Sequence, residues 1–209
     1  MALGDRGVRT AFLAGLAAGI PAVALLPWFF RVIEARPGMV PPDPLLAAIP
    51  AVEVAVTTFL VLYLGIAAAL WALFRAPLAL LRALHAYVLL LLLRMVTMFV
   101  FTLEPPHGII PLVDPVTAVF YPGGEPFLKD LFFSGHTATP VLLALAVGGG
   151  ALRRALFVCA AVVGALVLVQ HVHWTVDVLA APLFAWLAWR ASAVTLRWCG
   201  AAVSDAAAA

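Results

Sequence analysis

The stretch Leu78–Leu103, LALLRALHAYVLLLLLRMVTMFVFTL, decides the fold class. A helix needs roughly 20 apolar residues to cross the hydrocarbon core of a bilayer. This run exceeds that length with only Arg82, His85 and Arg94 as strongly polar interruptions. On either side the pattern repeats. Further apolar runs cover Ala11–Ile33, Ile49–Phe74, Thr137–Leu152, Ala155–Gln170 and Thr175–Ala193. Of the 209 residues, 66% are hydrophobic and 11% charged, against about 45–50% and about 25% in an average soluble domain. The expected architecture is therefore an all-α integral membrane bundle of six transmembrane helices, a single domain over residues 1–209, with no room for a large soluble domain. The positive N-terminus followed by an apolar run resembles a signal peptide in charge. The run continues through Pro21 and Pro27 to Ile33, too long for a cleavable core, and reads as a retained first helix. The break between the fourth and fifth runs is Gly148-Gly149-Gly150 with Arg153-Arg154, the pattern of a tight helical hairpin.

Basic residues set the expected orientation. With six spans, one side holds Arg6, Arg9, Arg75, Arg82, Arg153, Arg154, Arg190 and Arg197, and the other only Arg31, Arg36 and Lys129. Both termini are then expected in the cytoplasm. The excess of Arg over Lys and the abundance of Ala point to a GC-rich bacterial genome, hence to a bacterial inner (cell) membrane. Glu34, Asp43, Glu53, Glu104, Asp114, Glu125, Asp130 and Asp177 fall at or near the outer side, as do His107, His136, His171 and His173. The chemistry is expected there. Cys159 and Cys199 have no metal-ligand spacing, the histidines support no metal site, and no cofactor is called for.

Two stretches interrupt the apolar monotony: Asp130-Leu-Phe-Phe-Ser134-Gly135-His136-Thr137 before the fourth span, and His171-Val-His173-Trp-Thr-Val-Asp177 before the sixth. Both put histidine at a helix N-terminus, where free backbone N–H groups and the helix dipole favour an anion. Ser134 suits an N-cap, and Gly135 lets a phosphate oxygen approach the backbone. Pro140 implies that the helix starts after Ser134 or bends. On a helix, His173 and Asp177 share a face, so the carboxylate can hold one ring nitrogen and leave the other as a nucleophile. His171 is turned away and reads as a secondary contact. Two histidines suit metal-free phosphoryl transfer, one attacking phosphorus and the other moving protons. Arg94 supplies the positive charge. An arginine at the centre of a span costs about 2.5–3.5 kcal/mol on insertion scales, so it is expected to face the bundle interior and meet an anion. Its competing reading is an ion pair with Glu53 or Glu104, and that of Asp130 is a plain interfacial residue.

Ser134-Gly135-His136 followed by His173-x-x-x-Asp177 resembles the type 2 phosphatidic acid phosphatase (PAP2) superfamily. The finer resemblance is to its sphingomyelin synthase-like branch. It rests on Asp130-x-x-x-Ser-Gly-His-Thr137, His171-x-His173-aromatic-Thr-Val-Asp177-Val178, Arg94-x-x-Thr97-Met98 and Val40-Pro-Pro-Asp43-Pro. The core motifs span residues 94–178. The phosphatases' Lys-x₆-Arg-Pro motif and Ser-Arg pair are absent, with Leu166-Val167 where the latter would stand, and Leu128-Lys129 replaces the Cys-Gly of the synthase branch. The resemblance implies a PAP2-like helical fold with His173 as nucleophile, Asp177 orienting it and His136 as acid and base. Arg94, Ser134, Gly135, Thr137 and Asp130 would bind the phosphate. The partners it implies are membrane lipids rather than nucleic acid: a phospholipid donor, and ceramide or water as acceptor. Transfer, hydrolysis by a phosphatase or phospholipase C-like route, and a non-catalytic protein on the same scaffold stay open.

Overall fold

The computed structural model describes residues 6–113 and 127–201; Asp114, Glu125 and the alanine-rich tail after Ser204 lie outside them. The described chain is helical, with helices α1 (Arg6–Glu34), α2 (Pro44–Ala47), α3 (Ala55–Leu73), α4 (Pro77–Val100), α5 (Gly135–Ala146), α6 (Ala151–Val169) and α7 (Thr175–Trp198). Among the described residues, α1, α3, α4, α6 and α7 are long and apolar enough to cross a membrane. The integral membrane character read from the composition therefore holds.

The expected fourth span is the exception. Helix α5 has 12 residues, about 18 Å at 1.5 Å per residue, short of the roughly 30 Å core. Its C-cap is Val147, and Gly148 follows at φ 78°. That conformation is costly for residues with a Cβ. The apolar residues beyond it thus turn toward α6, which starts after Gly150 at φ 96°. Helix α5 itself packs on α6, α7, α4 and α3, whereas the turn at Gly149 and Gly150 is exposed. Among the described residues, five of the six expected runs are thus helices long enough to span, and the fourth, expected to be short, is a helix of 12 residues.

The largest core gathers around α5. Ala138, Val141, Leu142 and Ala144 of α5 pack with Ala83, Ala86 and Leu90 of α4, Leu156 and Ala160 of α6, and Ala181, Ala185 and Ala188 of α7. Lipid offers no hydrophobic drive between helices, so small side chains that allow close backbone approach carry the association. Helix α1 is an outrigger that contacts α4, where His85 Nε2 lies 2.8 Å from the Ala11 carbonyl oxygen. Lipid-facing residues such as Trp28, Leu64, Trp71 and Leu179 are exposed, as the outside of a membrane bundle should be.

At the end of the bundle that carries the two histidine motifs, the loops are tied down. Met39 pairs with Leu103 in a short parallel bridge. Glu104 accepts from Lys129 Nζ at 2.9 Å and from the Gly38 N–H at 2.7 Å. Fully buried Gln170 accepts from the Val54 N–H at 3.1 Å and donates to the Ile110 carbonyl at 3.2 Å. The Lys129 hydrogen bond, the Gly38 hydrogen bond and the Lys129 charge hold the Glu104 carboxyl below its ordinary value of 4.5, against the upward push of burial. A carboxyl with a lowered folded-state pKa contributes stability that is complete above its unfolded value and drains as pH falls through the folded one. Thermal melts in detergent are expected to show a loss of stability on acidification below pH 4.5. The loss should be smaller in Glu104→Gln; equal losses in parent and variant would refute the assignment.

Candidate active site

Helix α5 opens on Ser134, an N-cap whose Oγ accepts from the Thr137 N–H at 3.3 Å and the Thr137 hydroxyl at 3.2 Å. The helix starts directly after Ser134, with Pro140 inside it, so Pro140 does not delay the start. The Gly135 N–H has no hydrogen bond among the described residues, which leaves it as a donor at a positive helix end. The Ser134 N–H donates to the Asp177 carbonyl at 3.0 Å. This bond joins the two histidine-bearing segments.

His173 and Asp177 meet, but not by sharing a helical face. His173 precedes α7, Trp174 is the N-cap, and Asp177 is the third helical residue. The Asp177 carboxylate folds back to accept from the Trp174 N–H at 3.1 Å through the same Oδ2 that lies 3.3 Å from His173 Nδ1. The turn, a capping arrangement, therefore does what helical spacing was expected to do. His173 is 2% exposed and Asp177 fully buried. His173 Nε2 has no hydrogen-bond partner among the described residues, so the ring is held at one nitrogen and available at the other. The His136 and His173 rings stand 6.0 Å apart between centroids, edge to face. Phe59 of α3 lies 6.0 Å from the His136 ring.

The other expected residues divide. Arg94 is buried, as expected, but its partner is neither Glu53 nor Glu104. Nη2 pairs with the Asp130 carboxylate and reaches the Asp130 carbonyl at 3.2 Å, while Nη1 donates to the Phe133 carbonyl. Asp130 is thereby more than an interfacial carboxylate: it pairs with Arg94 and ties it to the loop leading into α5. Thr97, one turn along α4, adds a hydrogen bond to the Phe132 carbonyl at 3.0 Å. At Gly135, the space a Cβ would fill is occupied by Arg94, with Nη1 2.9 Å from the ideal Cβ position. The glycine thus admits a guanidinium close to the backbone, where the sequence reading placed a phosphate oxygen. Thr137 packs near Gly164 of α6, 3.5 Å from its ideal Cβ position. His171, at φ 57°, is turned from the pair, its ring nitrogens 3.1 and 2.9 Å from the His107 and Ile49 carbonyl oxygens.

One expectation needs correction. Both helix N-termini were read as anion sites for phosphate, yet the protein's own carboxylates occupy that of α7. Asp177 takes the Trp174 N–H, and Asp43 takes the Thr175 N–H at 2.6 Å and its hydroxyl at 2.9 Å. Of the two, only the α5 end combines an unused amide with a neighbouring cation. Asp43 itself was missed. Asp43-Pro44 is the sequence signature of an N-cap followed by Pro at the first helical position, and it does cap α2 through the Leu46 N–H at 2.9 Å. Its reach to α7 has no local signal. Burial pushes the Asp43 carboxyl upward, but the hydrogen bonds from Leu46, Thr175 and Leu45 outweigh it and leave the pKa below 3.8.

Residues 129–194 match the family model described as PAP2 superfamily C-terminal. The matched segment holds both motifs, α5, α6 and most of α7, and is similar there to the PAP2 superfamily. No curated protein and no solved structure matches the chain.

Proposed function

We propose that the protein is a membrane lipid phosphotransferase that moves a phospho-head group through a phosphohistidine, with His173 as nucleophile. The observation that carries this is the pair of rings 6.0 Å apart, one of them held at Nδ1 by a fully buried carboxylate. A base fixed by a third group is the general form of an activated nucleophile. His173 Nε2 attacks phosphorus and forms a P–N bond as the bond from phosphorus to the lipid oxygen breaks. His136 gives that oxygen its proton. In the second half His136 removes the acceptor hydroxyl's proton, the new P–O bond forms and the P–N bond breaks. The free Gly135 amide and Arg94 stabilise the phosphoryl oxygens, the donor geometry that such transition states require. Asp130 holds Arg94 in place and, as an anion, stays off the phosphate itself.

The donor in this reading is a phospholipid and the acceptor a lipid alcohol such as ceramide, after the sphingomyelin synthase-like branch. With water as acceptor the same steps give a phospholipase C-like or phosphatase reaction. The site faces the exoplasmic side of a bacterial cell membrane in this reading, because the basic residues crowd the other side. The test gives purified protein a head-group-labelled phospholipid, or labelled phosphatidic acid, with and without fluorescent ceramide. Label in a new sphingolipid is the expected result. Soluble head-group phosphate or inorganic phosphate alone would replace transfer with hydrolysis, and no turnover in any arm would remove the enzymatic reading.

A further inference from the structure

Asp43 lies on the first loop at the histidine end, 132 positions from the residue it binds. Its carboxylate uses both oxygens on Thr175, taking the N–H at 2.6 Å and the hydroxyl at 2.9 Å, while Oδ1 also caps α2 through Leu46. Thr175 is two residues from His173. Leu46 of the short helix capped by Asp43 packs in one buried cluster with Trp174, Leu103 and Leu131, against which Phe132 and Leu168 lie. The Trp174 indole N–H closes the same cluster by donating to the Glu104 carbonyl at 2.9 Å. Leu46 of helix α2 thus packs against Trp174, the residue next to His173, and the Asp43–Thr175 contact fastens the helix there. His173 beside this cluster is 2% exposed although it is polar and stands outside any helix.

We infer that Asp43 is a specificity-determining latch: it keeps water from the His173 turn, so that a phosphoryl group held there passes to a lipid hydroxyl rather than to water. This rests on the phosphohistidine reading above. In the unwanted reaction a water oxygen bonds to phosphorus, His136 takes its proton and the P–N bond breaks. That step differs from transfer only in which hydroxyl reaches the site, so access decides the product. Asp43 touches neither ring and takes no part in either half-reaction. Hydrogen bonds to a charged group are the stronger ones, and two of them act on one residue here.

Two readouts test the latch, one of them independent of catalysis. The first is carbethoxylation of His173 by diethylpyrocarbonate, read by mass spectrometry against exposed His107 in the same sample. The second is the ratio of ceramide-linked product to water-released head-group phosphate. Asp43→Ala is expected to raise the His173 modification rate about tenfold and to lower the product ratio by a similar factor, the scale of a lost charge-assisted hydrogen bond. Total head-group release persists. Thr175→Val keeps the backbone bond and removes only the hydroxyl, so it should move both readouts the same way by less, without the risk of unfolding the loop. Wild-type values of either readout in both variants would overturn the latch. If the wild-type protein transfers label to no lipid acceptor, the phosphotransfer reading falls, and the modification rates alone decide the latch.

Discussion

His173→Ala is expected to lower turnover of a labelled phospholipid by about 10⁴-fold or more, because losing a nucleophile leaves only binding and electrostatic catalysis. Labelled substrate should also fail to leave acid-labile phosphate on the protein. His136→Ala removes only proton transfer, typically worth about 10²–10⁴-fold. Its first half-reaction should still proceed with a donor whose leaving oxygen needs no proton. Phosphate label would then accumulate on His173, since the acceptor's proton has no base. The contrast between the two variants assigns the roles. If His173→Ala kept full turnover, or if His136→Ala blocked labelling while His173→Ala did not, the nucleophile would be misassigned. The geometry behind this asymmetry is the Asp177 carboxylate, which lies 3.3 Å from Nδ1 of His173.

The second large effect concerns Arg94. Its guanidinium meets the Asp130 carboxylate and the Phe133 carbonyl while abutting Gly135. Arg94→Ala strands both acceptors, and breaking such a pair by deleting one partner costs about 3 kcal/mol, the low end for buried pairs. The low end applies because the Asp130 side chain is 32% exposed. Activity is expected to fall about 10²–10³-fold, the loss associated with one oxyanion-stabilising donor. The double variant Arg94→Ala/Asp130→Ala separates the two effects. Removing the stranded carboxylate should restore part of the stability, read as unfolding in mixed micelles, and none of the activity. Recovery of both would make Arg94 purely structural. Arg94→Lys should rescue poorly, because a point charge cannot reproduce a fork that spans two carbonyls and a carboxylate.

The membrane character and the places of α1, α3, α4, α6 and α7 were legible because long apolar windows have few alternatives in a bilayer, though individual ends shift by up to six residues. Helix α5 was misjudged in length for a definite reason. The run was read through to Leu152 although Gly148-Gly149-Gly150 marks a hairpin, and the helix already ends at Ala146, with Gly148 and Gly150 at positive φ. In the site, His136, His173 and Asp177 were legible as motif positions. Their mutual geometry was not, since the cap around Trp174 brings His173 to Asp177 where a continuous helix had been expected. The ionic partners were the hardest part. Arg94 finds Asp130 at a separation of 36 residues and Asp43 finds Thr175 at 132. Such pairings depend on how loops fold back over the bundle, and no periodicity records that.

The hydrogen bond from the Ser134 N–H to the Asp177 carbonyl has a bearing on how the protein meets bilayers of unequal thickness. Spanning helices answer a mismatch by tilting, and a site built from facing residues midway along two helices would open or close with the tilt. Here His136 and His173 sit at adjoining helix ends joined by that bond, and α5 and α7 also pack together in one core. A change of bilayer thickness is therefore expected to leave the 6.0 Å separation of the two rings nearly unchanged; a separation that followed the thickness would refute this.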